Sequence, residues 1–373
     1  NLSPTDGAVF VYDPKTDSFT DITPDLKDGR QGGFGGISVD AQNPDTLVVS
    51  TLGWWSDNGD NLYYSKDGGK SWSGLFNLST KETNYQMDTS EAQWLDWGRG
   101  ENQAKTGWWV ADVNINPFNS DEVMYGTGAT IYSTRNITKI DEEPVTIAFD
   151  AYGLEETAVF KMIAPPSKDD SPQLYSIMGD LTGFAHKDVT QCPDDAHFMK
   201  NGKPTDLDVA FQNPNTAVYL SEEKTTTINF TQDGGATWET VKHKPDPAIG
   251  GQVAMSADGS STIWVPNSIS GKPYVTTDLG KTWYYVEGLG FNAKIAADRV
   301  NPKVFYATCD GLFYVSKDGG VTFESTGQMV ADSAEPVTVF GQEGNVWISS
   351  STMIMYTEDA GESFENVKTL STV

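Results

Sequence analysis

Tyr314-Val-Ser316-Lys-Asp318-Gly-Gly320-Val-Thr-Phe323 decides how this chain must fold. An apolar, β-branched run stops at a serine, a carboxylate and two glycines, and an aromatic residue opens the next run. Asp suits such a turn because its side chain bonds nearby backbone N–H groups, and Gly because it accepts positive φ. The pattern Ser/Thr-x-Asp-x-Gly-x-x-Trp/Phe recurs at 65–72, 231–238, 276–283 and 357–364. The last four aspartates, Asp233, Asp278, Asp318 and Asp359, lie 45, 40 and 41 residues apart. That is the length of one four-stranded propeller blade, and the motif is the Asp-box.

Outward from this box the unit resolves into four short strands. Residues 293–298 form the first, Asn301-Pro302 turns, and 304–308 form the second. Asp310-Gly311 turns again, 312–316 form the third, the box turns, and 322–326 form the fourth. Asn-Pro recurs at Asn43-Pro44, Asn116-Pro117 and Asn213-Pro214, 17 to 24 residues before a box aspartate or its degenerate equivalent. Proline fixes φ and cannot donate to a ladder, so each Asn-Pro closes a strand. Seven such units and the outer half of another fit the chain, which predicts an all-β, β-propeller fold with four-stranded antiparallel blades. Residues 133–136 read as a decayed box.

Composition narrows the function. Lys plus Arg is 25 against 52 Asp plus Glu, a net charge of −27 that repels phosphate backbones and anionic lipid. Nucleic acid and membrane surfaces are therefore not expected partners. No apolar run reaches the roughly 18 residues of a membrane span. The aromatic, glycine-rich, lysine-poor composition and the four Asn-x-Ser/Thr sequons at Asn1, Asn77, Asn136 and Asn229 suggest a secreted glycoprotein. Cys192 and Cys309 could pair or stay free.

An up-and-down blade puts its one-two and three-four turns on one face and its two-three turns and four-one connections on the other. The boxes are three-four turns, so they are structural and mark the far face. On the opposite face the run Leu174-Tyr-Ser-Ile-Met-Gly-Asp180-Leu-Thr-Gly-Phe184 ends a strand with a carboxylate among Met178, Leu181 and Phe184. Desolvation disfavours the charged form, so Asp180 is a candidate proton donor, although Gly-Asp also serves simply as a turn. Trp54, Trp55, Trp94, Trp97, Trp108 and Trp264 fall in loops or loop approaches of that face, where flat indoles suit sugar rings. Trp109 and Trp347, placed inside strands, are expected to fill wedges between blades.

Other chemistries find little support. Three scattered histidines and the absence of HExxH or CxxC argue against a metal, and no cofactor is expected. Gly32 to Gly36 lacks a following helix pattern and a P-loop lysine, and GxSxG is absent. A sialidase needs three arginines on a substrate carboxylate; of Arg30, Arg99, Arg135 and Arg299, Arg135 falls on the wrong face. Carboxylate acid/base chemistry on a glycan is the simplest choice.

Longer runs then carry a resemblance. Gly33-Phe-Gly-Gly-Ile-Ser-Val-Asp-Ala-Gln-Asn-Pro44, Trp94-Leu-Asp-Trp-Gly-Arg99, Met124-Tyr-Gly-Thr-Gly-Ala-Thr-Ile-Tyr132, Gly179-Asp-Leu-Thr-Gly-Phe-Ala-His-Lys-Asp188 and Gly288-Leu-Gly-Phe-Asn-Ala-Lys-Ile-Ala-Ala-Asp298 resemble the xyloglucanases of glycoside hydrolase family 74. The resemblance implies two seven-bladed propellers face to face, with a xyloglucan cleft between them and inverting hydrolysis of β-1,4-glucan linkages. It places the closing blades of the first propeller at 1–152 and blades of the second at 153–373. Asp180 matches the general acid, and Trp54 and Trp55 match a tryptophan pair on the leaving-group side of the cleft. The general base matches no segment here, so the chain resembles a middle portion of the family's sequence. The missing remainder of the same enzyme would then be its partner. Exo-acting members carry an inserted loop, whereas 98–107 is short, which implies endo action. The alternative is a non-catalytic propeller that binds glycans or proteins.

Overall fold

The computed structural model describes residues 7–26, 33–54, 58–92, 105–128, 130–153, 158–168, 170–179, 182–193, 203–222, 225–245, 250–268, 271–331, 334–351 and 353–367. Two compact units divide the chain, 1–156 and 157–373. Both are built of sheets of sequential antiparallel strands, with one parallel addition in the first unit, and the fold is a β-propeller.

The unit read most closely from sequence forms Lys294–Ala297, Phe305–Cys309, Leu312–Ser316 and Glu324–Met329, each strand pairing with the next. Three further four-stranded sheets in the second unit run 203–240, 252–285 and 335–366. A three-stranded sheet precedes them, Val159–Ile163, Leu174–Met178 and Thr182–His186. The first strands of these five sheets abut in chain order, so they form the inner wall of the propeller. The first unit holds the hairpin Phe10–Asp13 with Ser18–Asp21, the four-stranded sheet 33–74, and a sheet at 112–149. Tyr85–Asp88 joins the last as an outermost fifth strand, parallel to Val145–Phe149.

The box geometry explains its sequence. In 316–323 the Ser316 hydroxyl donates to Asp318 Oδ1 (2.8 Å) and accepts from Gly320 N–H (3.0 Å). Thr322 then gives its N–H to Oδ1 (3.0 Å) and its hydroxyl to Oδ2 (2.6 Å). The same set recurs around Asp67, Asp233, Asp278 and Asp359. Four boxes also receive the one-two turn of their own blade, as when Gly319 N–H donates to Lys303 O at 2.8 Å. Both turns therefore share one face.

The glycine two positions after the box aspartate has another duty. At Gly69, Gly235, Gly280, Gly320 and Gly361, all with positive φ, an added Cβ would press on Ile22, Ala185, Val241, Ile263 and Phe313 respectively. Each is a residue of the preceding hairpin or sheet. The box is thus the joint between neighbouring blades.

Residues 133–136 depart from this. Among them Asn136 Oδ1 accepts from Thr146 N–H (2.9 Å), and a short 3₁₀ turn, Ile137–Lys139, replaces the loop.

Candidate functional site

The strands flanking positions 180 and 181 run antiparallel, with Met178 opposite Thr182 and Ser176 opposite Phe184. Asp180 itself lies outside the described residues, as do Leu181, Trp55, Trp94 and Trp97. Its neighbours in sequence are apolar and enclosed: Met178 and Phe184 are buried, and Gly179 N–H donates to Ala158 O at 2.8 Å. Thr182 follows with φ of 64°, a conformation that a β-branched residue rarely adopts. His186 at the far end of the strand meets the Ser176 hydroxyl through Nε2 at 2.9 Å, and burial pulls its imidazole below the ordinary range.

In the first unit the same kind of loop is fully described at its base. Asp60 is buried, and its carboxylate gathers four donors from two segments. Gly53 N–H (3.0 Å) and Trp54 N–H (2.7 Å) come from its own two-three loop, and the Thr51 hydroxyl (3.1 Å) from the strand Leu47–Leu52 that leads into it. Val110 N–H (3.2 Å) comes from the connection that leads into the next sheet. Asp60 N–H donates to Gly107 O at 2.7 Å, and the Thr106 hydroxyl donates to Asp60 O at 2.6 Å. Asp60 therefore fastens the Trp54 loop to the Trp108-Trp109 segment. Sequence reading passed over it, because an aspartate in Asp57-Asn-Gly-Asp60 looks like turn chemistry; only its burial reveals the anchor.

The indoles divide differently from expectation. Trp54 is buried, 7% exposed, and its ring lines a cleft of about 510 Å³ with Tyr63, Trp72, Phe76, Asp25 and Glu82. Trp108 is half-buried beneath the Lys105 ammonium, 5.2 Å from the ring centroid. Trp264 corrects the sequence reading: it is fully buried within Thr262–Val265. Tyr274 stacks beside it, Trp283 meets it edge-on, and Nε1 donates to Gly250 O at 3.2 Å, so it is a core residue and cannot stack on a sugar. Trp109 and Trp347 correct it the other way. Each is 40% exposed, Trp347 against Tyr356 and Trp109 outside any strand.

Similarity to known proteins bears on what this face is for. The BNR/Asp-box repeat model matches residues 63–73. The xyloglucanase Xgh74A of Acetivibrio thermocellus is 38% identical over 92% of this chain and 42% of its own length. An oligoxyloglucan-reducing end-specific xyloglucanase of Emericella nidulans is 32% identical over 92% of this chain and 50% of its own. The crystal structure of the GH74 xyloglucanase from Xanthomonas campestris superposes with a TM-score of 0.76 and 26% identity, over 96% of this chain and 50% of that one.

Over nearly all of its length the chain matches xyloglucanases of glycoside hydrolase family 74.

It spans about half the length, or less, of the relatives it matches. The described arginines are engaged within the fold. Arg299 pairs with the buried Asp208 at 2.9 Å, and Arg135 pairs with Asp150 at 3.3 Å. Neither guanidinium is held in reserve for a substrate carboxylate. Cys192 and Cys309 are both free thiols. Among the described residues no helix is long and apolar enough to cross a membrane.

Proposed function

We propose that this chain carries the acid half of an inverting endo-β-1,4-glucanase acting on xyloglucan outside the cell. The general base would lie on a segment that this chain does not contain. The observation that carries the reading is continuous similarity to proteins named xyloglucanases, 38% identity across 92% of the chain. Asp180 is the general acid in this reading. Met178 and Phe184, its neighbours in sequence, are buried; a carboxyl kept neutral by an apolar setting can protonate the departing glycosidic oxygen. Inversion needs a second carboxylate about 6.5–9.5 Å away to activate water on the opposite face of the sugar. A neutral polysaccharide is also the kind of polymer that a surface of charge −27 does not repel.

Asp180→Asn is the decisive variant, assayed in the chain together with whatever segment supplies the base. Reducing-sugar release should fall by about 10²–10⁴-fold, the usual contribution of a general acid, while binding of xyloglucan oligosaccharide persists. Near-normal turnover rejects the assignment. Proton NMR of the first products tests inversion, since the new reducing ends must appear as the α-anomer. Endo action requires solution viscosity to drop well ahead of reducing-end release. The Emericella relative is named for reducing-end specificity, so stepwise release of short products from the reducing end would favour that mode instead.

The length comparison favours a second reading, a non-catalytic glycan-binding propeller. Calorimetric binding without product, even when the complementary segment is supplied, would establish it.

A further inference from the structure

Asn77, Asn136 and Asn229 each open an Asn-x-Ser/Thr sequon on described residues, and the fold treats them differently. Asn229 is 1% exposed inside the strand Thr226–Thr231, which pairs on both sides. Its Nδ2 donates to the Thr227 hydroxyl at 3.1 Å, and its Oδ1 accepts from the Thr240 hydroxyl at 2.6 Å. Thr231, the third residue of that sequon, is buried and donates to Asp233 of the box at 2.7 Å. Asn136 is also engaged. Its Nδ2 donates to Pro144 O at 3.2 Å, its Oδ1 accepts from Thr146 N–H, and the Thr138 hydroxyl donates to Asp121.

Asn77 is set up otherwise. An antiparallel bridge joins Phe76 to Thr83 and Asn77 N–H donates to Glu82 O at 2.9 Å, so 77–82 is the tip of a short hairpin. Leu78 packs on the core of the first unit, whereas Ser79, Thr80, Lys81 and Glu82 are exposed. Asn77 Oδ1 accepts from Ser79 N–H (2.9 Å) and Thr80 N–H (3.2 Å), an Asx turn that orients the side chain. Among the described residues its Nδ2 and the Ser79 hydroxyl make no hydrogen bond. The turn needs only Oδ1, which an aspartate would supply as well. The amide nitrogen is therefore surplus to the fold.

We propose that Asn77 is an N-glycan acceptor and that Asn136 and Asn229 stay bare. A sequon works from a surface loop, and of these three only Asn77 offers both its amide and its hydroxyl there. The donor is a lipid-linked oligosaccharyl diphosphate. Nδ2 attacks its anomeric carbon and an N–C bond forms. The C–O bond to the diphosphate breaks, and the lipid diphosphate departs with that electron pair. One amide proton passes to a base of the transferring enzyme. A glycan on Asn229 would instead force a bulky polar group into a closed sheet. Asn77 also borders the cleft lined by Trp54, Tyr63 and Trp72, so its first sugar would stand at the wall of that cleft. The inference rests on the part of the proposed function that puts the chain outside the cell, and on none of the glucan chemistry.

The experiment secretes the full chain from a eukaryotic host whose secretory lumen attaches N-glycans. Its peptides are mapped by mass spectrometry after enzymatic deglycosylation in heavy-oxygen water, which leaves a labelled aspartate at each former glycan site. Asn77 should carry the label in most molecules, and Asn136 and Asn229 in none. Ser79→Ala should abolish the label at 77 while leaving the thermal midpoint of the deglycosylated chain unchanged, because that hydroxyl holds nothing. Asn77→Asp keeps the acceptor oxygen of the turn, so it should fold like the parent and carry no glycan. An unlabelled Asn77 in secreted, folded protein overturns the acceptor and leaves the proposed function standing. Label that favours Asn136 or Asn229 overturns it too. Peptides of the natural chain found only inside the cells of its source would overturn the extracellular reading and the glycan with it.

Discussion

At the residue scale the box aspartates are where structure makes a direct statement about pH. Hydrogen bonds from the Ser71 hydroxyl and N–H hold Asp67 down at about 2, against an ordinary value of 3.8. Bonds led by the Ser363 hydroxyl hold Asp359 at about 2, and the Thr282 hydroxyl lowers Asp278. Their folded values lie below the unfolded one, so the unfolded chain binds more protons in between. The stabilisation is complete above about pH 4 and is lost as pH falls through the folded value near 2. Urea midpoints measured from pH 5 downward should therefore decline steeply in that window. Replacing two boxes, as in Asp67→Asn with Asp359→Asn, should lower the plateau and flatten the decline. A double variant with the wild-type slope would show that the boxes do not carry the acid sensitivity. These same bonds explain why the box is structural: both oxygens of the carboxylate are engaged in holding the turn.

At the scale of elements, successive inner strands of the second unit are joined through carboxylates. Asp206 Oδ2 accepts from Val253 N–H and Asp208 Oδ2 from Met255 N–H, both at 2.7 Å, and Lys161 meets Asp206 at 2.6 Å. Arg299 closes the seam: it pairs with Asp208, donates to Val209 O at 3.4 Å and lies 4.4 Å from the Phe211 ring centroid. Arg299→Met leaves the Asp208 carboxylate buried with only backbone donors. It should destabilise by about 3 kcal/mol, the low end for breaking a buried pair, read from the denaturant midpoint. A change under about 1 kcal/mol would mean that the backbone donors suffice. None of this seam is visible in Thr205-Asp-Leu-Asp-Val209, which reads as a strand spoiled by two acids. The blades themselves were legible, because boxes and Asn-Pro turns are local chemistry repeated at fixed spacing. The indoles were not. In Thr262–Val265 both faces are covered by neighbours, so alternation vanishes and Trp264 in the core looks like a strand running out into a loop. Trp109 resembled strand sequence because its turn depends on Asp60, 49 positions away, and no local pattern reports that.

For the whole molecule the governing quantity is charge. With −27 spread over 373 residues, the folded chain repels itself, and the repulsion reaches about 30 Å at 10 mM salt but only about 8 Å at 150 mM. Salt should therefore raise the thermal midpoint at pH 7, most steeply below about 100 mM, because compaction concentrates the carboxylates. A neutral glycan feels none of this. If indole faces and hydrogen bonds hold xyloglucan, its affinity should change by less than about twofold across the same range, whereas any polyanion would bind better as salt rises. Titrations at 10 and 300 mM salt distinguish the cases. An affinity for xyloglucan that tracks salt would mean that charged groups, and not the tryptophan-bearing loops held by Asp60, make the principal contacts. The stability measurement runs on the same samples and controls for folding, so a salt-insensitive affinity beside a salt-sensitive midpoint isolates recognition from self-repulsion.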